Sequence, residues 1–178
     1  MRIGIDISQT VYGNTGVANF LYNLVENLLK FDKDNEYVLF FSSMRRNLNS
    51  QILDLKLKNK NIQVKAFKYP PALLDLIWNK LHIAPIERFI GDVDVFITSD
   101  WTEPPSIKAK KITILYDLII KKYPEETDNK IVQVQTRRLN WVKKESNIII
   151  CISDSTKNDA IKILGIEEKK LRVVYPGI

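Results

Sequence analysis

The chain has 178 residues, of which 45% are hydrophobic and 27% charged. This composition predicts one domain with a substantial core and excludes a disordered chain. No apolar run approaches the roughly 20 residues that span a bilayer, and the N-terminus MRIGIDISQT lacks the pattern of a signal peptide. Because Cys151 is the only cysteine, no intrachain disulfide can form, and we expect a cytoplasmic protein.

The net charge is +6 and the pI is about 9.3. An excess of this sign favours an anionic partner, which could be nucleic acid, an anionic membrane surface or a phosphorylated ligand. A lysine-rich surface that only maintains solubility explains the same charge. No nucleic-acid-binding motif is present, so we expect no nucleic-acid partner.

Short β-rich segments alternate with longer amphipathic ones along the chain. The predicted strands are residues 2–7, 36–42, 61–67, 92–98, 111–116, 147–152 and 171–175. Helical spacing of apolar residues predicts helices at 16–30, 46–55, 71–90 with a bend near Pro85, about 128–145, and 154–165 with Gly165 as the C-cap.

Several of the predicted strands are continuously apolar, among them VLFF, VFI and IIICI. This pattern is typical of strands buried on both faces of a parallel sheet. With right-handed crossovers, it predicts an α/β fold: a Rossmann-like, three-layer, doubly wound and mostly parallel sheet of about seven strands. The chain contains no repeat or linker, so we expect a single domain over residues 1–178.

Ligands of such sheets bind at the carboxyl ends of the strands, and polar side chains follow four of the predicted strands. They are Asp6, Ser8 and Gln9 after the first strand, Ser99, Asp100, Trp101 and Glu103 after VFIT, Tyr116 and Asp117 after ITIL, and Ser153 and Asp154 after IIICI. Their convergence on one edge predicts a binding site without identifying the ligand.

The segment GNTG, residues 13–16, opens the first predicted helix. Glycines permit a tight turn and a close approach of ligand to backbone, and the free amides of a helix N-terminus suit a phosphate. A simple glycine turn with Asn14 or Thr15 as N-cap is an equal alternative. The complete G-x-G-x-x-G motif and the acidic residue after the second strand are both missing, which argues against NAD binding.

The remaining candidates favour structural roles. Ser153 is positioned to cap the helix that it precedes. His82 lies away from the strand ends and suits packing or the surface. Cys151 falls within a buried strand. One histidine and one cysteine also argue against a zinc site, so we expect no metal.

Four segments together resemble the N-terminal half of family-4 glycosyltransferases of the GT-B fold. NTGVANFLYNLVENL resembles the glycine-rich loop and first helix of that family. DVDVFITSDWTEPP resembles its acceptor-side loop, and ITILYDLIIKKYPE its "HDL…P" segment. The long stretch from Arg137 to the terminal VVYPGI resembles the region that ends in "V.V.PNG", where the first domain meets the second.

The resemblance implies two Rossmann-like domains that face a cleft, with the acceptor on the N-terminal side and a nucleotide-sugar as co-substrate rather than cofactor. It implies diphosphate contacts for Gly13, Asn14, Thr15 and Gly16, and catalytic positions for Tyr116 and Asp117. It implies acceptor contacts for Ser8, Asp100, Trp101 and Glu103, and places Ser153 at the cleft floor.

The sequence departs from the family in two ways. Tyr116 replaces a histidine expected to contact the donor sugar, and a tyrosine can hydrogen bond but cannot act as an imidazole near neutral pH. The C-terminal domain, with its paired glutamates, is not in this sequence. We therefore expect an acceptor-binding domain that is inactive without a donor-binding domain, in cis or in trans.

The expected acceptor is a carbohydrate or a lipid-linked molecule. Many family members act on membrane-bound acceptors, so the lysines of residues 54–68 and the Trp78 helix are candidates for contact with an anionic leaflet at the inner membrane face. A solvated face beside a core helix is the competing interpretation. A stand-alone carbohydrate- or anion-binding module without catalysis, assembled as a homodimer, is the alternative function.

Overall fold

Seven strands form a single parallel sheet in the computed structural model, which describes residues 1–177. They are β1 (Arg2–Asp6), β2 (Glu36–Ser42), β3 (Ile62–Phe67), β4 (Val95–Thr98), β5 (Lys110–Leu115), β6 (Ile148–Cys151) and β7 (Leu171–Val173). The order across the sheet is β3-β2-β1-β4-β5-β6-β7, and every neighbouring pair is parallel. The predicted doubly wound α/β sheet is confirmed. All six strand pairings are parallel, because the crossover connections return the chain to the same end of the sheet; the crossover from β4 to β5 is a loop without a helix.

Helices connect the strands on both faces of the sheet. They are α1 (Gly16–Phe31), α2 (Ser50–Lys58), α3 (Pro71–Leu74), α4 (Glu87–Ile90), α5 (Ile119–Lys122), α6 (Asn129–Glu145) and α7 (Asp154–Leu164). A π-helical segment, Asp75–Lys80, continues α3. The predicted helix at 46–55 instead spans Ser50–Lys58, because Asn49 caps its N-terminus by accepting a hydrogen bond from the amide of Gln51.

The alternation of side chains along β2 shows the two core layers. Leu39 packs with α1 and α2 on one face, while Val38 and Phe40 pack on the other face with the segment that runs from α3 to α4. A third group of buried residues lies between α6, α7 and strands β5–β7. The sheet is therefore buried on both faces where it is most apolar, as the continuous hydrophobic runs predict.

The predicted helix at 71–90 is interrupted. After the π-helical segment the chain turns through His82 and Ala84, whose φ angles are 53° and 59°, and α4 begins only beyond Pro85. The Trp78 indole nitrogen donates to the carbonyl of Ala84 at 2.9 Å, which holds the turn against the core.

Trp78 was a candidate for contact with a membrane, and the structure contradicts this role. Its side chain is fully buried, with ring centroids 5.3 Å from Phe40 and 5.2 Å from Phe89. The exposed apolar side chains of this region are Leu73, Leu76, Leu81 and Ile83. Among the helices of residues 1–177, none combines the length and the hydrophobicity that a membrane span requires.

Gly4 in β1 lies where the sheet meets the α4 layer most closely. A Cβ atom at this position would lie 2.7 Å from Phe96 Cδ2 and 2.8 Å from Ile90 Cδ1, and both of those side chains are buried. We expect Gly4→Ala to lower the free energy of unfolding by about 1–3 kcal/mol, because a packed core must shift to admit the methyl group. Urea denaturation measures this change.

Gly13→Ala is the matched control, since a Cβ atom at Gly13 meets nothing within 4 Å. We expect its effect to stay within about 0.5 kcal/mol. Equal stability of the two variants would contradict the close packing inferred at Gly4.

Candidate functional site

Three cavities lie along the carboxyl edge of the sheet. The first cavity, of about 340 Å³, is bordered by the ends of β1 and β2 and by Pro70, Pro71 and Trp101. The second cavity, of about 190 Å³, lies between the ends of β4 and β5 and helix α6. The third cavity, of about 800 Å³, lies between α1 and residues 174–177.

Shared wall residues connect these cavities. Trp101 lines both the first and the second cavity, and Tyr116 and Asp117 line both the second and the third. The three cavities therefore lie side by side across the strand ends, where doubly wound sheets bind ligands, and we refer to them together as the cleft. Most of the residues predicted to bind ligand lie along this cleft.

The glycine-rich loop borders the third cavity. Thr15 is the N-cap of α1 and accepts a hydrogen bond from the amide of Ala18 at 3.2 Å, so Thr15, rather than Asn14, is the cap. The left-handed backbone position is occupied by Asn14, with φ 70°, and not by a glycine. The space beside Gly13 and Gly16 is open, which leaves room for a ligand near the first amides of α1.

Tyr116 stands at the centre of the cleft. Its ring makes an edge contact with Phe20, 5.6 Å between centroids, and its hydroxyl lies 3.2 Å from Ser99 Oγ. Burial raises the pKa of the Tyr116 phenol above its ordinary value, so the group keeps its proton at neutral pH. The neighbouring Asp117 is exposed and accepts a hydrogen bond from the amide of Ile119 at 3.0 Å.

Arg138 lies under the floor of the second cavity, and the sequence analysis missed it. Its guanidinium donates to the backbone carbonyls of Ser99 and Ile114, and its Nε has no partner within residues 1–177. No carboxylate in the described chain forms an ion pair with it. A buried positive charge thus lies beneath the strand ends. The sequence feature that could have identified Arg138 is its position among the buried residues of α6, beside Leu139 and Val142.

Asp100 shares the second cavity with Arg138. Burial raises the pKa of the Asp100 carboxyl, while the charge of Arg138 opposes that rise. The backbone carbonyl of Asp100 accepts a hydrogen bond from Gln135 at 2.7 Å. These contacts fix the loop that follows β4 above α6.

Asn79 positions Trp101 from the opposite side. Its side-chain nitrogen donates to the Trp101 carbonyl at 3.1 Å, and its side-chain oxygen accepts from the amide of Glu103 at 2.9 Å. Asn79 is itself buried. The Trp101 indole nitrogen is buried without a partner among residues 1–177.

Glu103 lies away from the cleft. It is fully buried, pairs with Lys111 Nζ at 2.9 Å, and accepts a hydrogen bond from Thr98 at 2.7 Å. It lines none of the three cavities. The structure thus separates Glu103 from the other predicted acceptor-side residues, because a buried lysine on β5 requires a carboxylate at this position.

Ser8 and Ser153 differ in their placement. Ser8 lines the first cavity. Ser153 caps α7, as predicted, by accepting a hydrogen bond from the amide of Thr156 at 3.1 Å, and it lines none of the three cavities. His82 stacks on Trp141 with ring centroids 3.5 Å apart and pairs with Glu145 at 2.8 Å, which is a packing environment. Cys151 is buried.

No cluster of three or more histidine, cysteine, aspartate or glutamate side chains suited to a metal ion occurs within residues 1–177. The polar groups of the cleft are instead hydroxyls, backbone amides, isolated carboxylates and the guanidinium groups of Arg45, Arg46 and Arg138. Such groups bind through hydrogen bonds, as a sugar or phosphate requires.

A fully parallel seven-stranded sheet with helices on both faces and a cleft at its carboxyl edge defines a Rossmann-like α/β domain, the unit that forms one half of a GT-B fold. The sequence profile of Glycosyltransferase Family 4 matches residues 14–178. The chain belongs to this family.

Nine chains of solved structures match this fold. One is HepE (Alr3699) from Anabaena in complex with UDP, with a TM-score of 0.53 and 11% sequence identity. The match covers 99% of this chain and 44% of HepE, so the chain spans less than half the length of that relative. No curated protein matches the chain significantly.

Mutation of Glu103 tests the role of its buried ion pair with Lys111. We expect Glu103→Gln to lower the free energy of unfolding by about 1–3 kcal/mol, because Lys111 would lose its fully buried partner and keep only the partly exposed Glu145, 3.0 Å away. Chemical denaturation with circular dichroism measures the loss.

Two comparisons make this result specific. Asp92→Asn removes an exposed ion pair, 3.2 Å from Lys108, and should cost less than about 1 kcal/mol. The double variant Glu103→Gln/Lys111→Met should recover part of the loss, since it also removes the buried charge of Lys111. A single variant as stable as Asp92→Asn would contradict the structural role of Glu103.

Proposed function

We propose that this chain is the acceptor-binding domain of a glycosyltransferase that moves a sugar from a nucleotide-sugar to a carbohydrate or lipid-linked acceptor. The observation that carries the proposal is the row of cavities, in which Tyr116 and Asp117 line both the cavity beside the N-terminus of α1 and the cavity that Trp101 lines. Family membership supports the reaction class.

In the proposed reaction the bond between the sugar C1 and the phosphate oxygen of the donor breaks. A hydroxyl oxygen of the acceptor forms the new bond to C1, and its proton leaves with the nucleoside diphosphate. Gly13, Asn14, Thr15 and Gly16 would approach the donor diphosphate with backbone amides. Asp100, Trp101 and Ser8 would hold the acceptor on the opposite side of Tyr116.

Tyr116 and Asp117 would form different hydrogen bonds at the centre of the cleft. The phenol keeps its proton at neutral pH, so it suits a hydrogen-bond donor to a sugar or phosphate oxygen. Asp117 is exposed at the cleft wall, and its second carboxylate oxygen is free to accept from a sugar hydroxyl. Neither role requires a metal.

The donor-binding domain is the second part of the proposal. HepE, in complex with UDP, is more than twice as long as the aligned segment, which supports a second domain that binds the nucleotide. That domain would be supplied in cis or in trans. Without it, the third cavity remains one wall of a donor site.

The dependence on a donor domain can be tested with UDP-, GDP- and ADP-sugars and a panel of carbohydrate acceptors. We expect the 178-residue chain alone to release no nucleotide. We expect residues 1–177 joined to the C-terminal half of HepE to release UDP from a UDP-sugar, because the chimera restores both walls of the cleft. Robust transfer by the chain alone would contradict the proposed dependence.

Variants of the chimera test the two central residues. Asp117→Asn and Tyr116→Phe should each lower turnover by about 10²-fold or more if these groups contact the reacting sugars. Lys58→Ala, an exposed change on α2, is the control and should leave turnover intact. If all three variants behave alike, Tyr116 and Asp117 have no part in the reaction.

Sedimentation analysis, combined with the activity of the chimera, distinguishes the alternative function, a binding module without catalysis, from sugar transfer. A symmetric dimer that binds carbohydrate, combined with an inactive chimera, would favour a binding module without catalysis. A monomer whose chimera transfers sugar would exclude that alternative.

A further inference from the structure

Two adjacent arginines border the first cavity. Arg45 and Arg46 lie in the loop between β2 and α2, at the carboxyl edge of the sheet, and both are exposed. Neither forms an ion pair with a carboxylate of the described chain. Two guanidinium groups without acidic partners, placed together at a concave site, provide a strong field for an anion.

Arg46 is held in position before any ligand binds. Its Nη1 donates to the carbonyl of Val11 at 3.1 Å, and its guanidinium carbon lies 5.3 Å from the ring centroid of Tyr12. Its backbone amide donates to Ser43 Oγ at 3.1 Å. These contacts leave the remaining guanidinium N–H groups available. A guanidinium group that is already held in position loses less entropy when it binds an anion.

Ser8 also lines this cavity. Its Oγ accepts a hydrogen bond from the amide of Ser42 at 3.0 Å, and its own amide donates to Asp6 Oδ1 at 2.9 Å. Asp6 is the sole carboxylate among the described residues that line this cavity. Burial raises the pKa of the Asp6 carboxyl, which weakens its repulsion of an anion.

Part of the lining is apolar. It consists of Met44, Pro70, Pro71, Ala72 and Leu74. The volume of about 340 Å³ is at the lower end of the range for ligand pockets and fits one sugar-sized group. The lining of the cavity therefore combines cationic groups with a nonpolar surface.

We propose that the first cavity binds an anionic group of the acceptor, a phosphate or a carboxylate, through Arg45 and Arg46. Planar guanidinium groups match both anions with paired hydrogen bonds. The assignment of this anionic group to the acceptor rests on the proposed function, whereas the anion site itself does not. Trp101 connects this cavity to the second one, so an anion held by the arginines places the rest of the acceptor toward Tyr116.

Binding is measured on the 178-residue chain without any donor. Glucose 1-phosphate, glucuronate and glucose are titrated by calorimetry, and NMR follows the indole N–H signal of Trp101. We expect both anionic probes to bind at least about tenfold more tightly than glucose, because charge-assisted hydrogen bonds are roughly twice as strong as neutral ones.

Matched charge variants locate the site. Arg45→Gln/Arg46→Gln should weaken the anionic probes by roughly tenfold or more and leave glucose unchanged. Lys56→Gln/Lys58→Gln removes the same charge from the last turn of α2, which runs back toward the opposite edge of the sheet, and should change nothing. Equal loss in both variants would overturn the proposal, as would anion binding that does not exceed binding of glucose.

The source of the anion is tested with dihexanoyl phosphatidylglycerol as monomers. Binding of this lipid that exceeds that of glucose 1-phosphate supports a lipid-linked acceptor, and the reverse supports a soluble one. Failure of both anions overturns the site even if the chimera transfers sugar. Anion binding lost in the arginine variant, with an inactive chimera, keeps the site and removes the proposed function.

Discussion

The buried ion pair of Glu103 and Lys111 is the interaction on which the arrangement of the cleft depends. Lys111 belongs to β5, and Glu103 lies in the loop that follows β4 and that also carries Asp100 and Trp101. Lys111 also pairs with Glu145 of α6 at 3.0 Å, and Glu145 pairs with His82. One charged network thus joins β5, α6, the loop after β4 and the turn after the π-helical segment, so the position of Trp101 follows from core electrostatics.

A buried network of this kind contributes little net stability, because desolvation opposes the attraction between the charges. Its effect is on geometry: each partner has only one arrangement in which no charge is left unpaired. The cleft residues lie on loops, which are normally the most variable parts of a fold. The buried charges and Asn79 restrict these loops without placing charged groups in the cleft itself.

The architecture was predictable because apolar runs and helical spacing report directly on burial. The α7 cap follows from the same rules, and Gly165 adopts the expected left-handed conformation with φ 62°. Glu103 was predicted to contact the acceptor because a charge after a strand gives no local sign of its partner. Lys111 lies on the next strand, and only the tertiary structure brings the two side chains into contact. No local pattern identifies Arg138 either, because its partners are the backbone carbonyls of Ser99 and Ile114.

The replacement of the family histidine by Tyr116 has a physical consequence for the whole cleft. An imidazole can gain or lose a proton near neutral pH, whereas the buried phenol of Tyr116 stays neutral. The centre of the cleft therefore gains no positive charge at that residue. The cationic groups of this edge are instead Arg138 beneath the floor and Arg45 and Arg46 at the rim of the first cavity. This charge distribution places positive potential on the side of Tyr116 that faces the first cavity, since the described residues that line the third cavity include no cation.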